Sequence, residues 1–180
     1  MNSRARPASP SSSADRLHLG VVSYPEGGDV EELLARFADS LRGQGVAVGG
    51  LLQCSSREAN GRPRMEMIDI ASGDVILISQ NLGGKSSACC VDLTGVADAS
   101  TYLRRAIAQA PDLLIINKFS GLEAKGGGLR AEFLDALASG LPVLTGLSER
   151  NRAAFEEMAE GAGEFLEASD PALHAWWDRR

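Results

Sequence analysis

The sequence predicts an α/β domain built on a doubly wound, mainly parallel sheet with one inserted β-hairpin. Three observations predict it. Short apolar runs alternate with segments of helical periodicity along the whole chain, the order that βαβ units require. The run "PDLLIIN", Pro111 to Asn117, is continuously apolar, as a strand buried on both faces must be. The stretch "GVVSYPEGGDVEELLARF", Gly20 to Phe37, reads as a strand, a turn rich in Pro and Gly, and an amphipathic helix.

The elements follow in order. Leu17–Val22 is a buried strand. Asp29–Arg42 is a helix, with Val30, Leu33, Leu34, Phe37 and Leu41 at helical spacing and Asp29 and Glu32 as its capping pair. "RGQGVAVGGLLQ" ends that helix with glycines and enters a second strand at about Val46–Gln53. Ser55–Pro63 is polar and reads as a loop. "RMEMIDIASGDVILIS", residues 64–79, is two strand-like runs joined by "ASGD", an antiparallel hairpin signal. "QNLGGKSSACCVDLTG" has no periodicity and reads as a loop. Val96–Ala110 is a helix, "PDLLIIN" a strand, Leu129–Ser139 a helix ending at Gly140, and "LPVLTGL" a strand. Asn151–Met158 is helical, "EFLEA" a short strand, and Pro171–Trp177 a terminal docking helix on which Trp176 and Trp177 are packing anchors.

Composition narrows the function. The chain has 180 residues, enough for one domain with a full core. It is 44% hydrophobic and 23% charged, the ordinary balance of a globular protein. The net charge of −6 argues against nucleic acid or an anionic membrane as a general partner, because no basic face releases counterions. No apolar run approaches a bilayer span. The three cysteines, Cys54, Cys89 and Cys90, are odd in number and fit a reducing compartment, so a cytoplasmic location is expected. Residues 1–16, rich in Ser, Arg and Pro, are expected to be a disordered tail before a single domain spanning 17–180. They can also be read as a transit peptide, although Pro7 and Pro10 oppose the amphipathic helix such a peptide needs.

The opening strand–turn–helix has the order of parts of a phosphate-binding loop, in which backbone N–H groups and a helix N-terminus surround an anion. Registered on Gly28, the pattern Gly-x4-Gly-Lys-Ser/Thr falls on Ser23 to Val30. Ser23 replaces the first Gly, Asp29 the Lys, and Val30 the hydroxyl that holds magnesium. Glu31 and Glu32 add negative charge to the first helical turn, where they complement the helix dipole. Gly27 and Gly28 therefore retain the shape of a phosphate cradle without its charge. In "DLLIINKFSGLEAKGGGLRAEF" the strand end that would carry a magnesium-linked acid carries Asn117 and Lys118 instead. Glu123 and Arg130 follow, and each also reads as a solvated side chain.

Together, the strand–loop–helix at 17–42 with "GVAVGGLL", the hairpin "MEMIDIASGDVILIS", and "DLLIINKFSGLEAKGGGLRAEFLDALASGLPVLTGL" resemble the family catalogued as domain of unknown function 2478. More distantly they are similar to the cancer-related nucleoside triphosphatases, small P-loop enzymes. The resemblance covers roughly residues 17–177. It implies a P-loop-NTPase-like fold. It also implies that Asn117 stands at the position of the magnesium-linked acid, Lys118 at that of the catalytic Glu, and Glu123, Gly128 and Arg130 in the family frame. Hydrolysis is not expected from a chain with Asp29, Val30, Asn117 and Lys118 at those positions. Members of the unknown-function family are often encoded beside molybdenum-transport genes. By association this implies a role in molybdate or molybdenum-cofactor handling, with molybdenum-transport or cofactor-assembly proteins as partners.

A third constellation is the loop 80–92. Gly84-Lys85-Ser86 imitates the end of a phosphate motif, but Ser79 stands where its first Gly belongs and no helix begins after Ser86. Lys85, Ser86 and Ser87 nevertheless present donors suited to a small oxyanion. By the family comparison Cys89 and Asp92 fall in a Cys-x-x-Asp pattern, and a thiolate would suit molybdenum or a redox role. Cys89 and Cys90 also read as two small hydrophobes at a loop edge. No Cys or His pair has zinc spacing, and no Gly-x-Ser-x-Gly elbow marks a hydrolase. The loops 23–28, 80–92 and 117–130 are expected to converge at the carboxyl ends of the strands, where such sheets bind ligands. The candidate ligand is an anion, either molybdate or a nucleotide with magnesium. The first expectation is thus a non-hydrolysing binding or accessory protein. The alternatives are a nucleoside triphosphate phosphohydrolase in which Lys85 or Lys118 reaches the phosphates, and a scaffold that binds only protein.

Overall fold

The computed structural model describes residues 18–61, 63–79 and 91–180. Its elements are β1 (Leu19–Tyr24), α1 (Glu31–Gly43), β2 (Val48–Arg57), β3 (Pro63–Asp69), β4 (Val75–Leu77), α2 (Leu93–Ala108), β5 (Leu113–Phe119), α3 (Gly121–Ala124), α4 (Arg130–Ala138), β6 (Val143–Ser148), α5 (Arg152–Met158), β7 (Glu164–Leu166) and α6 (Asp170–Trp177). A 3₁₀ turn, Glu149–Asn151, leads into α5. The strands form one seven-stranded sheet in the order β4-β3-β2-β5-β6-β1-β7. β2, β5, β6, β1 and β7 pair in parallel, whereas β3 runs antiparallel to both β2 and β4. The hairpin read from "ASGD" is β3–β4, and it forms one edge of the sheet.

β5 shows why the sheet must be covered on both faces. Leu114 and Ile116 point into a core shared with Leu51, Leu103, Phe119, Phe133 and Phe155. Leu113 and Ile115 point into another, shared with Leu34, Phe37, Leu144 and Trp176. All four β5 side chains have no exposed surface, which a continuous apolar run achieves only between two helical layers. Burying each such aliphatic side chain contributes about 1.5–3 kcal/mol. α1 and α6 cover one face, and the "WW" pair is a packing anchor there: Trp176 and Trp177 are 1% and 4% exposed.

Three sequence expectations are corrected. Ser55–Pro63 is not wholly loop, because β2 continues to Arg57 and pairs with β3 as far as Pro63. Its exposed polar side chains hid the strand, which backbone pairing with β3 dictates. Asp29 and Glu32 do not cap α1: the N-cap residue is Val30, with no side-chain cap bond, and Asp29 Oδ1 accepts only from the Glu31 N–H, at 3.3 Å. The second helix starts at Leu93 rather than Val96, because Asp92 caps it by accepting from the Thr94 N–H at 2.9 Å.

Candidate functional site

The carboxyl ends of β1, β5 and β6 meet beside the N-terminus of α1. β1 ends at Tyr24, and the chain turns through exposed Gly27 and Gly28, with the Gly28 N–H donating to Pro25 O at 3.1 Å. Val30 then turns inward and is 2% exposed. It reaches the end of β6 at Gly146, where a Cβ would lie 2.5 Å from Val30 Cγ2 and 3.2 Å from Asn117 Oδ1. Only glycine therefore lets the loop, β6 and β5 close together at this point.

β5 shifts register against β6 between Ile116 and Phe119, and the Asn117–Lys118 peptide is cis. The register shift re-aims side chains away from the ladder. Asn117 is fully buried, and neither its amide nitrogen nor its amide oxygen has a hydrogen-bond partner. That is costly, of the order of 1–3 kcal/mol for each stranded group, and buried polar groups are rarely left so. Lys118 emerges beside it, with Nζ 3.2 Å from Glu31 Oε1. The ammonium also lies 5.9 Å from the centre of the Tyr24 ring. Burial first, then the charges of Glu31 and Asp29, push the Tyr24 hydroxyl up to about 12, so it is neutral at physiological pH.

Glu31 is the hub of this cluster. Its Oε2 accepts from the Ser55 N–H at 2.8 Å, and its Oε1 from Ser55 Oγ at 2.8 Å and Gln53 Nε2 at 2.9 Å. The polar end of β2 is thereby fastened to the first turn of α1. Glu32 points the other way, with its side chain 90% exposed. The sequence marked Glu31 only as a complement to the helix dipole. Its partners lie 22, 24 and 87 residues away, and no local spacing signals them.

The other predicted residues are dispersed. Glu123 is 4% exposed and lies in α3, the short helix that follows β5. Its Oε2 accepts from the N–H and hydroxyl of Ser120, completing a capping box on α3, and its Oε1 accepts from the Leu129 N–H at 2.9 Å. The signature Ser120-x-x-Glu123 was present in the sequence and would have announced this role. Gly128 has φ +60, and a Cβ there would lie 2.0 Å from Glu123 Oε1, so the glycine is required by the carboxylate beneath it. Arg130 donates to the Glu123 carbonyl at 3.3 Å. Asp92 caps α2 beyond the hairpin strands. Lys85, Ser86, Ser87 and Cys89, with the rest of 80–90, lie outside the described residues.

Where α1 begins beside the end of β5, the helix carries an acid, Glu31, and the strand end a cation, Lys118. Beside them lie an apolar Val30 and a neutral Asn117. Among the described residues, no group of three or more His, Cys, Asp or Glu side chains is placed to hold a metal ion. No helix among them is long and apolar enough to cross a membrane.

This architecture is a P-loop-NTPase-like fold. The solution structure of a human cancer-related nucleoside triphosphatase superposes with a TM-score of 0.58 at 17% identity, covering 90% of this chain and 95% of that one. The chain belongs to the family of proteins of unknown function called DUF2478, whose model matches residues 19–176. It is also 39% identical over 164 residues, 91% of its length, to the molybdenum import ATP-binding protein ModC 2 of Bradyrhizobium diazoefficiens. The matched stretch is 18% of that protein, so the chain spans less than a fifth of the relative's length.

Proposed function

We propose that the protein is a non-hydrolysing, P-loop-like ligand-binding or accessory module of molybdenum or molybdate (oxyanion) metabolism. The observation that carries the reading is the pairing of Glu31 with Lys118 where α1 begins beside the end of β5. Phosphoryl transfer depends on positioned cations around the phosphates and on a group that orients the nucleophile. Here Val30 offers no oxygen and Asn117 no negative charge to a magnesium ion, and the Lys118 ammonium at the strand end is paired with Glu31. The molybdenum assignment is supported by the name of the 39% identical relative, an import protein of which this chain resembles one part. Its partners on this reading are molybdenum-transport or cofactor-assembly proteins.

A second reading, a nucleoside triphosphate-binding phosphohydrolase with an atypical loop, is favoured by the fold likeness to a nucleoside triphosphatase and by the relative's ATP-binding name. One experiment separates them. Melting is followed with molybdate, tungstate, ATP and GTP, each with and without magnesium. A ligand at a hundred times its Kd adds about 2.7 kcal/mol. The expected outcome is stabilisation by molybdate and tungstate independent of magnesium, with no ATP turnover above background. Magnesium-dependent turnover that copurifies with the protein through successive columns would establish the second reading instead.

A further inference from the structure

Three features lie together at the end of β5. Lys118 and Glu31 form an ion pair between side chains only 19% and 12% exposed. Glu31 keeps three other donors, from Ser55 and Gln53, so losing Lys118 would not strand its carboxylate. Next to Lys118, the fully buried Asn117 amide has no partner for either end, and it packs with Val30 against Gly146. A buried amide with no partner calls for an explanation, and a bound polar group is one that would satisfy it.

Resting on the oxyanion-binding reading above, the geometry points to Glu31 as the resident occupant of an anion position. In the free protein its carboxylate holds Lys118. A tetrahedral oxyanion, or the terminal phosphoryl group of a nucleotide, binds by taking the Lys118 ammonium from Glu31 and accepting from the Asn117 Nδ2–H. Carboxylate and oxyanion offer the same charged acceptor atoms, so they compete for one ammonium. Glu31 falls back on the Ser55 N–H, the Ser55 hydroxyl and Gln53. Asp29 and Glu32 are exposed acids that face solvent and do not replace it. The competitor weakens binding, and in doing so it discriminates in favour of an anion with enough charge to displace it.

The test is calorimetry with sodium molybdate, orthophosphate and ADP on the wild type, Glu31→Gln, Lys118→Met and the double variant. Circular dichroism and melting confirm that each is folded. Glu31→Gln keeps the side-chain outline and one accepting oxygen for the Ser55 N–H while removing the charge, and it should bind at least about tenfold tighter, the equivalent of 1.4 kcal/mol. Lys118→Met should bind at least about tenfold weaker, and the double variant should match it, because Glu31 acts only through Lys118. Glu31→Asp, whose carboxylate is withdrawn by one methylene, should fall between wild type and Glu31→Gln. Molybdate or orthophosphate responding identifies a free oxyanion, and ADP alone responding identifies a nucleotide. Unchanged or weaker binding in Glu31→Gln, with binding still lost in Lys118→Met, overturns the competitor role and leaves the oxyanion reading standing. No heat from any probe, on wild type or Glu31→Gln, overturns both.

Discussion

Asn117–Lys118 and Ser120–Arg130 follow one another along the chain, yet they treat their polar groups in opposite ways. In the second segment the buried carboxylate of Glu123 accepts from Ser120 and Leu129, and Arg130 caps its carbonyl. Next along α4, Glu132 is 2% exposed and accepts from Ser100 and Arg104. In the first segment a buried amide has no partner, and a lysine is held across the fold by an acid from another element. The saturated segment fixes the backbone. The unsaturated one costs stability that packing elsewhere must offset, which is how binding sites are commonly arranged.

The largest effect that tests this contrast is Glu123→Ala. It strands the Ser120 and Leu129 N–H groups and removes the capping box, so about 3 kcal/mol should be lost in urea denaturation. A loss under about 1 kcal/mol would erase the distinction between the segments. A smaller effect is expected from Glu132→Gln, about 1–2 kcal/mol at neutral pH. Burial alone pushes the Glu132 carboxyl up, but the hydrogen bonds from Ser100, its own backbone and Arg104, with the charge of Arg104, hold it below its ordinary 4.5. A depressed carboxyl stabilises above its unfolded value and loses that contribution as pH falls through its folded value. The gap between wild type and Glu132→Gln should therefore close below about pH 4.5, as chemical denaturation across pH 3–7 would show. The smallest effect has the opposite sign. Asn117→Leu removes the unpaired amide while keeping the branching of the side chain and should raise stability by about 1 kcal/mol while weakening molybdate binding. Destabilisation by Asn117→Leu would mean that the amide is part of the framework, and the contrast would dissolve.

How much of this was legible in the sequence depends on the range of the interaction. β5 declared itself because "LLII" has to face two cores. The strand-end positions of Asn117 and Lys118 follow from that strand, and the hairpin from "ASGD". Ser120-x-x-Glu123 is legible as a cap from its spacing, and the structure gives Glu123 that role rather than a place beside Lys118. The continuation of β2 to Arg57 was hidden by side chains suited to solvent, since its pairing with β3 resides in the backbone. Glu31 was out of reach because its meaning comes from Ser55 and Lys118, which only the assembled sheet brings to it.

The bond from the Ser55 N–H to Glu31 Oε2, at 2.8 Å, has a spectroscopic consequence. An amide proton held by a carboxylate resonates downfield and exchanges slowly with water. Ser55 lies on the β2–β3 ribbon and is bonded directly to the carboxylate that holds Lys118. Its backbone resonance is therefore an intrinsic indicator of which partner Glu31 has. When an anion draws Lys118 away, Glu31 turns its full charge on Ser55, and that one peak should move further downfield while its neighbours on β2 hold still.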